Sequence, residues 1–313
     1  MFELLLNYGN NKPASKPLAN RVWSSLAPFG ASGLQSTGAV VDGKCYIFGG
    51  RVISNNAARN TAYSWDGTTM TPLANMPVAL IGASCAAIGN KIYIFGGSFA
   101  LVSGQENKTV YVYDISTNTY STAGTATFNT IVGSAAAVGT DIYIYGGLAN
   151  QTESGFPPVF YKYDTLSSTF TQLPYHNGSA VYTTTLLPFD DKLYVYGGEI
   201  TAPGAKDQTM RVFDTVQGTW SLITAPATIP SQRSISACKI GEEGILIVGG
   251  RLPDMQVTNE TWYYSLADNT WSKLANMVAA TSFNVLLTID DRIFTFDGYN
   301  GSSVTLNGIF EFK

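Results

Sequence analysis

A strand ending in two glycines recurs six times, the copies stand about fifty residues apart, and a stray fourth-strand signal lies near the N-terminus. Together these predict an all-β, six-bladed propeller whose sixth blade is closed by the N-terminal strand. The best copy is KIYIFGG (91–97); the others are KCYIFGG (44–50), DIYIYGG (141–147), KLYVYGG (192–198), GILIVGG (244–250) and RIFTFDG (292–298). The first residues of the terminal pairs, 49, 96, 146, 197, 249 and 297, are separated by 47, 50, 51, 52 and 48 residues.

Each interval repeats the same order of strand signals. A run of small and apolar residues such as GASCAAI (82–88) comes first, then a two-residue turn, Gly89-Asn90, of the kind a tight hairpin needs. The glycine-ended strand is second. In the fifth unit the turn is one residue longer (Gly241 to Gly244). After a variable loop comes an alternating third strand: YSWD (63–66), YVYD (111–114), YKYD (161–164), RVFD (211–214) and WYYS (262–265). Six residues on, an aromatic opens a fourth: Tyr120, Phe170, Trp220 and Trp271; the first unit has MTPL (70–73) instead. Small residues on the inner strand and large ones farther out suit a wedge-shaped blade. The paired glycines are expected where neighbouring blades crowd, because a missing Cβ permits close backbone approach and unusual φ. Asp297, in the first slot of the sixth pair, is read as a place where one glycine is dispensable.

The ends of the chain fit together. The sixth unit stops after GIFEFK with no fourth strand, whereas VWSSL (22–26) is a fourth strand with no unit before it and resembles TWSKL (270–274). The expected division is an arm or spacer over 1–21 and one propeller over 22–313.

Composition bounds the function. With 313 residues, 45% of them hydrophobic, the chain has ample core for one closed body, and a formal charge of −4 leaves no basic footprint for nucleic acid. No apolar stretch approaches the roughly 20 residues that span a bilayer, so no membrane insertion is expected. MFELLLNYGNN carries Glu3 where a secretory leader has a basic head and is not read as a signal peptide, which points to a virion or cytoplasmic setting. The three cysteines, Cys45, Cys85 and Cys238, sit inside apolar strand patterns and are read as buried free thiols.

The YIFGG, YVYD and WSKL elements on a fifty-residue period resemble the kelch-repeat six-bladed β-propeller family over roughly residues 22–313. The departures are Asp297, the missing tryptophan of unit one, and small or apolar residues where many kelch units place a proline-arginine pair. This resemblance implies fold more than function. Galactose-oxidase-like copper chemistry needs two histidines, and the chain has only His176, read as a solvated or hydrogen-bonded loop side chain. No zinc-ligand spacing and no phosphate-binding G-x-x-x-x-G-K-[ST] loop is present, so neither metal nor cofactor is expected.

Topology puts the loops after the glycine pairs and the blade-to-blade connections on one face, and the tight hairpins on the other. The first set is longer and more varied, which makes it the expected working face. In kelch adaptors that capture acidic peptides, arginines after the glycine pair and before a first strand line the mouth; the resemblance carries over to Arg51, Arg251 and Arg233. Tyr182, Tyr299 and Phe128 are the accompanying aromatics. Arginine forks among aromatics suit carboxylates or glycans. The expected function is therefore a non-enzymatic binding propeller for a protein or surface glycan. The alternative is a mutarotase or epimerase of an acidic sugar such as a sialic acid, with Glu199 as its acid/base group beside Arg51 or Arg251. Phe2, Leu4, Leu5 and Leu6 form an apolar segment ahead of a polar, proline-bearing spacer. It is read as a docking strand that attaches the ring to a larger assembly through residues 1–12, as in accessory proteins of virus particles such as phage tails.

Overall fold

The computed structural model describes residues 17–27, 34–52, 54–149, 158–176, 181–200, 209–225, 236–242, 244–252, 254, 256–301 and 308–313, without the side chains of Tyr182, Glu199 and Ile200. Phe2, Leu4, Leu5, Leu6 and Arg233 lie outside the described residues.

Six four-stranded antiparallel sheets follow one another around a ring, each strand pairing with the next in sequence. In blade two, Ile81–Ile88 pairs with Lys91–Ser98, that strand with Thr109–Asp114, and the last with Thr119–Thr125. The exception is blade six. Its outer strand is Trp23–Ala27, paired antiparallel with Ile309–Phe312, so the N-terminal strand closes the ring as expected. Val22 and Lys313 exchange backbone hydrogen bonds of 2.8 and 3.1 Å. Trp23 is buried, its ring centroid 5.1 Å from that of Phe312, and its indole N–H donates to Thr261 Oγ1 of blade five at 2.9 Å.

The core lies between blades. Phe48, Met76, Ile92, Ile94 and Tyr113 join blades one and two, and Phe294, Phe296, Cys45 and Trp65 join blade six to blade one. Equivalent clusters fill the other seams. The third-strand aromatics Tyr113, Tyr163, Phe213 and Tyr264 are almost wholly buried. Each buried side chain of this size stabilises by about 1.5–3 kcal/mol, so the seams hold the ring together. Cys45, Cys85 and Cys238 are free and buried; burial pushes the thiols of Cys85 and Cys238 up to about 12 and that of Cys45 higher still.

The glycine pairs stitch one blade to the next. The second amide of the pair donates to a carbonyl on the segment leading into the following blade: Gly50 to Leu80 at 2.8 Å, Gly97 to Thr130 at 2.8 Å, Gly147 to Val181 at 3.2 Å and Gly250 to Thr281 at 2.7 Å. Approach is so close that a Cβ on Gly96 would lie 2.1 Å from the Thr130 carbonyl oxygen. Asp297 corrects the reading of a merely dispensable glycine. Its backbone keeps the left-handed conformation (φ 59°), and its carboxylate is 1% exposed, 3.5 Å from the Arg59 guanidinium and 3.3 Å from the Ser36 hydroxyl of blade one.

The aspartate ending several third strands shapes the outer hairpin. Asp66, Asp114 and Asp164 each accept backbone N–H bonds from the residues two and three ahead. Hydrogen bonds from Thr69, from the Ser116 hydroxyl and from Ser167, respectively the largest causes, hold these carboxyls below their ordinary value of 3.8. A depressed folded-state pKa stabilises above the ordinary value and ceases to do so as pH falls through the depressed one. Substituting all three by alanine is expected to lower the melting temperature at pH 6. That deficit should shrink as pH drops from about 4 toward 2, where the parent carboxylates protonate. A deficit independent of pH would show that the charged hydrogen bonds are not its source.

Candidate functional site: the mouth on the glycine-pair face

The first strands of all six blades surround a cavity of about 600 Å³ walled largely by Gly, Ala, Ser and Thr. At its glycine-pair end, the residue two before the inner strand or at its start takes a left-handed backbone: Gln35 (φ 58°), Gly82 (64°), Val132 (52°), Thr183 (56°) and Phe283 (57°). Such φ values strain a β-branched residue such as Val132 or Thr183. Hydrogen bonds around the mouth hold them: Gly82 N–H to Gln35 at 3.0 Å, Val132 N–H to Gly82 at 2.7 Å and Thr183 N–H to Val132 at 3.1 Å. Only Gly82 carries a signal for this in the sequence; the rest was missed.

On this rim the structure brings Arg51, Arg251 and Tyr299 together, each half-buried. Each follows a glycine pair or its Asp-Gly equivalent, and each is held by a single backbone bridge to the lead-in or its own loop. The Arg251 guanidinium lies 5.1 Å from the Tyr299 ring centroid and 5.6 Å from that of Phe283. Its Nε is buried and has no hydrogen-bond partner among the described residues. Arg51 donates from Nε to Gln35 Oε1 at 2.9 Å and from a terminal nitrogen to Asn56 Oδ1. Both partners are neutral amides. Burial first, and then the charge of Arg251, pull the Arg51 guanidinium below its ordinary value, with Tyr299 opposing. An arginine remains charged under any such shift. Two cations therefore face each other with no carboxylate in ion-pair range among the described residues.

The remaining expected site residues stand elsewhere. Phe128 stacks on Tyr161 at 3.8 Å and meets Phe170 edge-on at 5.4 Å, within the seam of blades two and three and away from the arginines. An aromatic in a connection reads alike whether it turns toward the axis or into the wedge. The backbones of Tyr182 and Glu199 pair with each other in a short two-stranded ladder, Val181–Tyr182 with Glu199–Ile200, at the inner end of blade four. His176 is no solvated loop side chain: it is 5% exposed and packs on Tyr175, Trp220 and Tyr145. Gln35, Asn56 and Phe283, which set the two guanidiniums in place, were not among the expected site residues. No cluster of three or more His, Cys, Asp or Glu side chains able to hold a metal is found among the described residues. None of their helices is long and apolar enough to cross a membrane.

Comparison with known families bears on the repeats directly. The Kelch motif matches residues 79–126, and the KLHDC2/KLHL20/DRC7 Kelch-repeats domain matches residues 183–313. The chain is a kelch-repeat β-propeller. A solved kelch-fold neighbour, described as "Structure of YjhT", superposes with a TM-score of 0.76 over 90% of this chain and 95% of that one. Identity there is 15%, which speaks for the shared fold alone. N-acetylneuraminate epimerases of Haemophilus influenzae, strains PittEE and 86-028NP, are each 39% identical over 83 residues. The match spans 24% of this kelch chain and 22% of the length of those relatives.

Proposed function

We propose that this kelch propeller is a non-enzymatic binding module that takes the anionic group of a protein or glycan partner at the mouth of its glycine-pair face. The observation that carries the reading is the Arg51 and Arg251 pair, held near each other by neutral amides and aromatic faces. Two like charges in a partly desolvated site repel, and a carboxylate between them relieves that repulsion while accepting charge-assisted hydrogen bonds. Arg51→Ala combined with Arg251→Ala is expected to leave folding intact, since exposed loop changes seldom cost much. The same double substitution should weaken a carboxylate-bearing ligand at least about tenfold, as loss of charged hydrogen bonds worth about 1.5–3 kcal/mol requires. Isothermal titration with N-acetylneuraminate and with an acidic peptide measures this. Equal dissociation constants for parent and variant would remove the arginines from the site.

A second reading, epimerisation of an acidic sugar, is favoured by the 83-residue match to N-acetylneuraminate epimerases. On that reading the guanidiniums hold the sugar carboxylate and Glu199 moves the proton. Anomer exchange by the parent that disappears in Glu199→Gln would make the protein an enzyme. Attachment of the ring to a larger assembly, a virion included, is a further part of the proposal and rests on the apolar Phe2, Leu4, Leu5 and Leu6.

A further inference from the structure

We infer that the loop following the second glycine pair is a preformed apolar anchor, and that the partner captured on this face is a protein segment with an apolar side chain near an acidic one. The inference rests on the anion-binding reading above and adds the class of partner to it.

The loop starts at Ser98, the slot that holds Arg51 in blade one and Arg251 in blade five, so it rises from the same face, on the blade next to Arg51. It presents Phe99, 40% exposed, and Val102, 55% exposed, with Leu101 half-buried between them. Loops that expose large apolar side chains usually do so because they are loosely held. This one is braced. Phe99 N–H donates to Gln105 O at 2.8 Å, and the Ser98 hydroxyl donates to Ala100 O and Gln105 O at 2.6 and 3.0 Å. Gly104 N–H is held by the Glu106 carboxylate at 3.0 Å. At the base the buried Asn107 side chain donates to Gly96 O and Thr109 O and accepts from Thr109 N–H. Ordering is thus complete before any partner arrives, and little entropy remains to be lost on binding. Branched aliphatic and phenyl groups without polar tips match apolar protein side chains rather than the hydroxyl-covered faces of a sugar, and such anchors carry most of an interface's energy. Guanidiniums in blades five and one supply the charge complementarity that sets the partner's register.

The test is selection from a displayed dodecapeptide library with a central Glu-Glu fixed and all other positions random, alongside titration of sialyllactose as the glycan probe. Selected peptides should be enriched in Phe, Leu, Ile, Met or Trp at positions on one side of the fixed pair. Phe99→Ser with Val102→Ser should weaken those peptides at least about tenfold, erase the apolar enrichment and leave the requirement for Glu-Glu. Phe99→Ala and Val102→Ser are also measured singly, with melting curves, so that a fold defect in one variant leaves the other informative. Selected peptides without apolar preference, or unaffected by the loop variants, would overturn the anchor and leave the arginine site standing. Tight binding of sialyllactose with no peptide selected would overturn it in favour of a glycan. Selection unchanged by Arg51→Ala with Arg251→Ala would overturn the anion site itself, and the inference with it.

Discussion

Gly96→Ala is expected to lower the melting temperature by on the order of 10 °C or to abolish soluble expression. The new Cβ would stand 2.1 Å from the Thr130 carbonyl oxygen and 2.6 Å from Thr130 Cγ2, at a φ of +62°. A left-handed non-glycine residue costs about 1–3 kcal/mol and overpacking about 1–3 more, and the struck atom is backbone, which cannot swing away. At about 2–4 °C per kcal/mol for a domain somewhat smaller than this one, the two terms give that shift. Gly89→Ala is the control. Gly89 has nearly the same φ, +56°, but nothing lies within 4 Å of its added Cβ. It should suffer the backbone cost alone. Equal losses in the two variants, read by calorimetry, would show that crowding between blades is not why the pair is glycine.

Removing residues 1–26 should be as damaging. It strips Trp23 and most of the closing strand from blade six, and with them the hydrogen bond to Thr261 and the cover over Phe310 and Phe312. Truncating a buried tryptophan alone costs about 3–5 kcal/mol, and an open ring also exposes a strand edge. Removal of residues 1–12 keeps Trp23–Ala27 and should leave the melting temperature where it was. A protein lacking 1–26 that unfolds cooperatively at the parent temperature would refute closure by this strand.

The repeat and its closure were legible because each rests on local pattern: alternation, turn residues and a fourth strand stranded at the wrong end of the chain. What escaped sequence reading is set by contacts distant in sequence. Nothing about Val132 or Thr183 announces a left-handed backbone, since both disfavour it; the conformation is imposed by hydrogen bonds around the mouth. Asp297 looked like a lapse in the glycine pattern because its partner, Arg59, is on the far side of the closing seam. The arginine slots were readable from register, while the amides of Gln35 and Asn56 and the ring of Phe283 became meaningful only with the fold. Phe128 was assigned to the mouth by its place in a connection, and packing decided otherwise.

The links that run from Gln35 through Gly82 and Val132 to Thr183 join main chain to main chain, and the stitches from the glycine pairs do the same. None of them spends a side chain. The aperture is thus fixed by backbone geometry, whereas everything a visitor would touch hangs from loops outside those links. Such a frame allows its lining to be rewritten one loop at a time, charge for charge or anchor for anchor, while the distance across the opening stays the same.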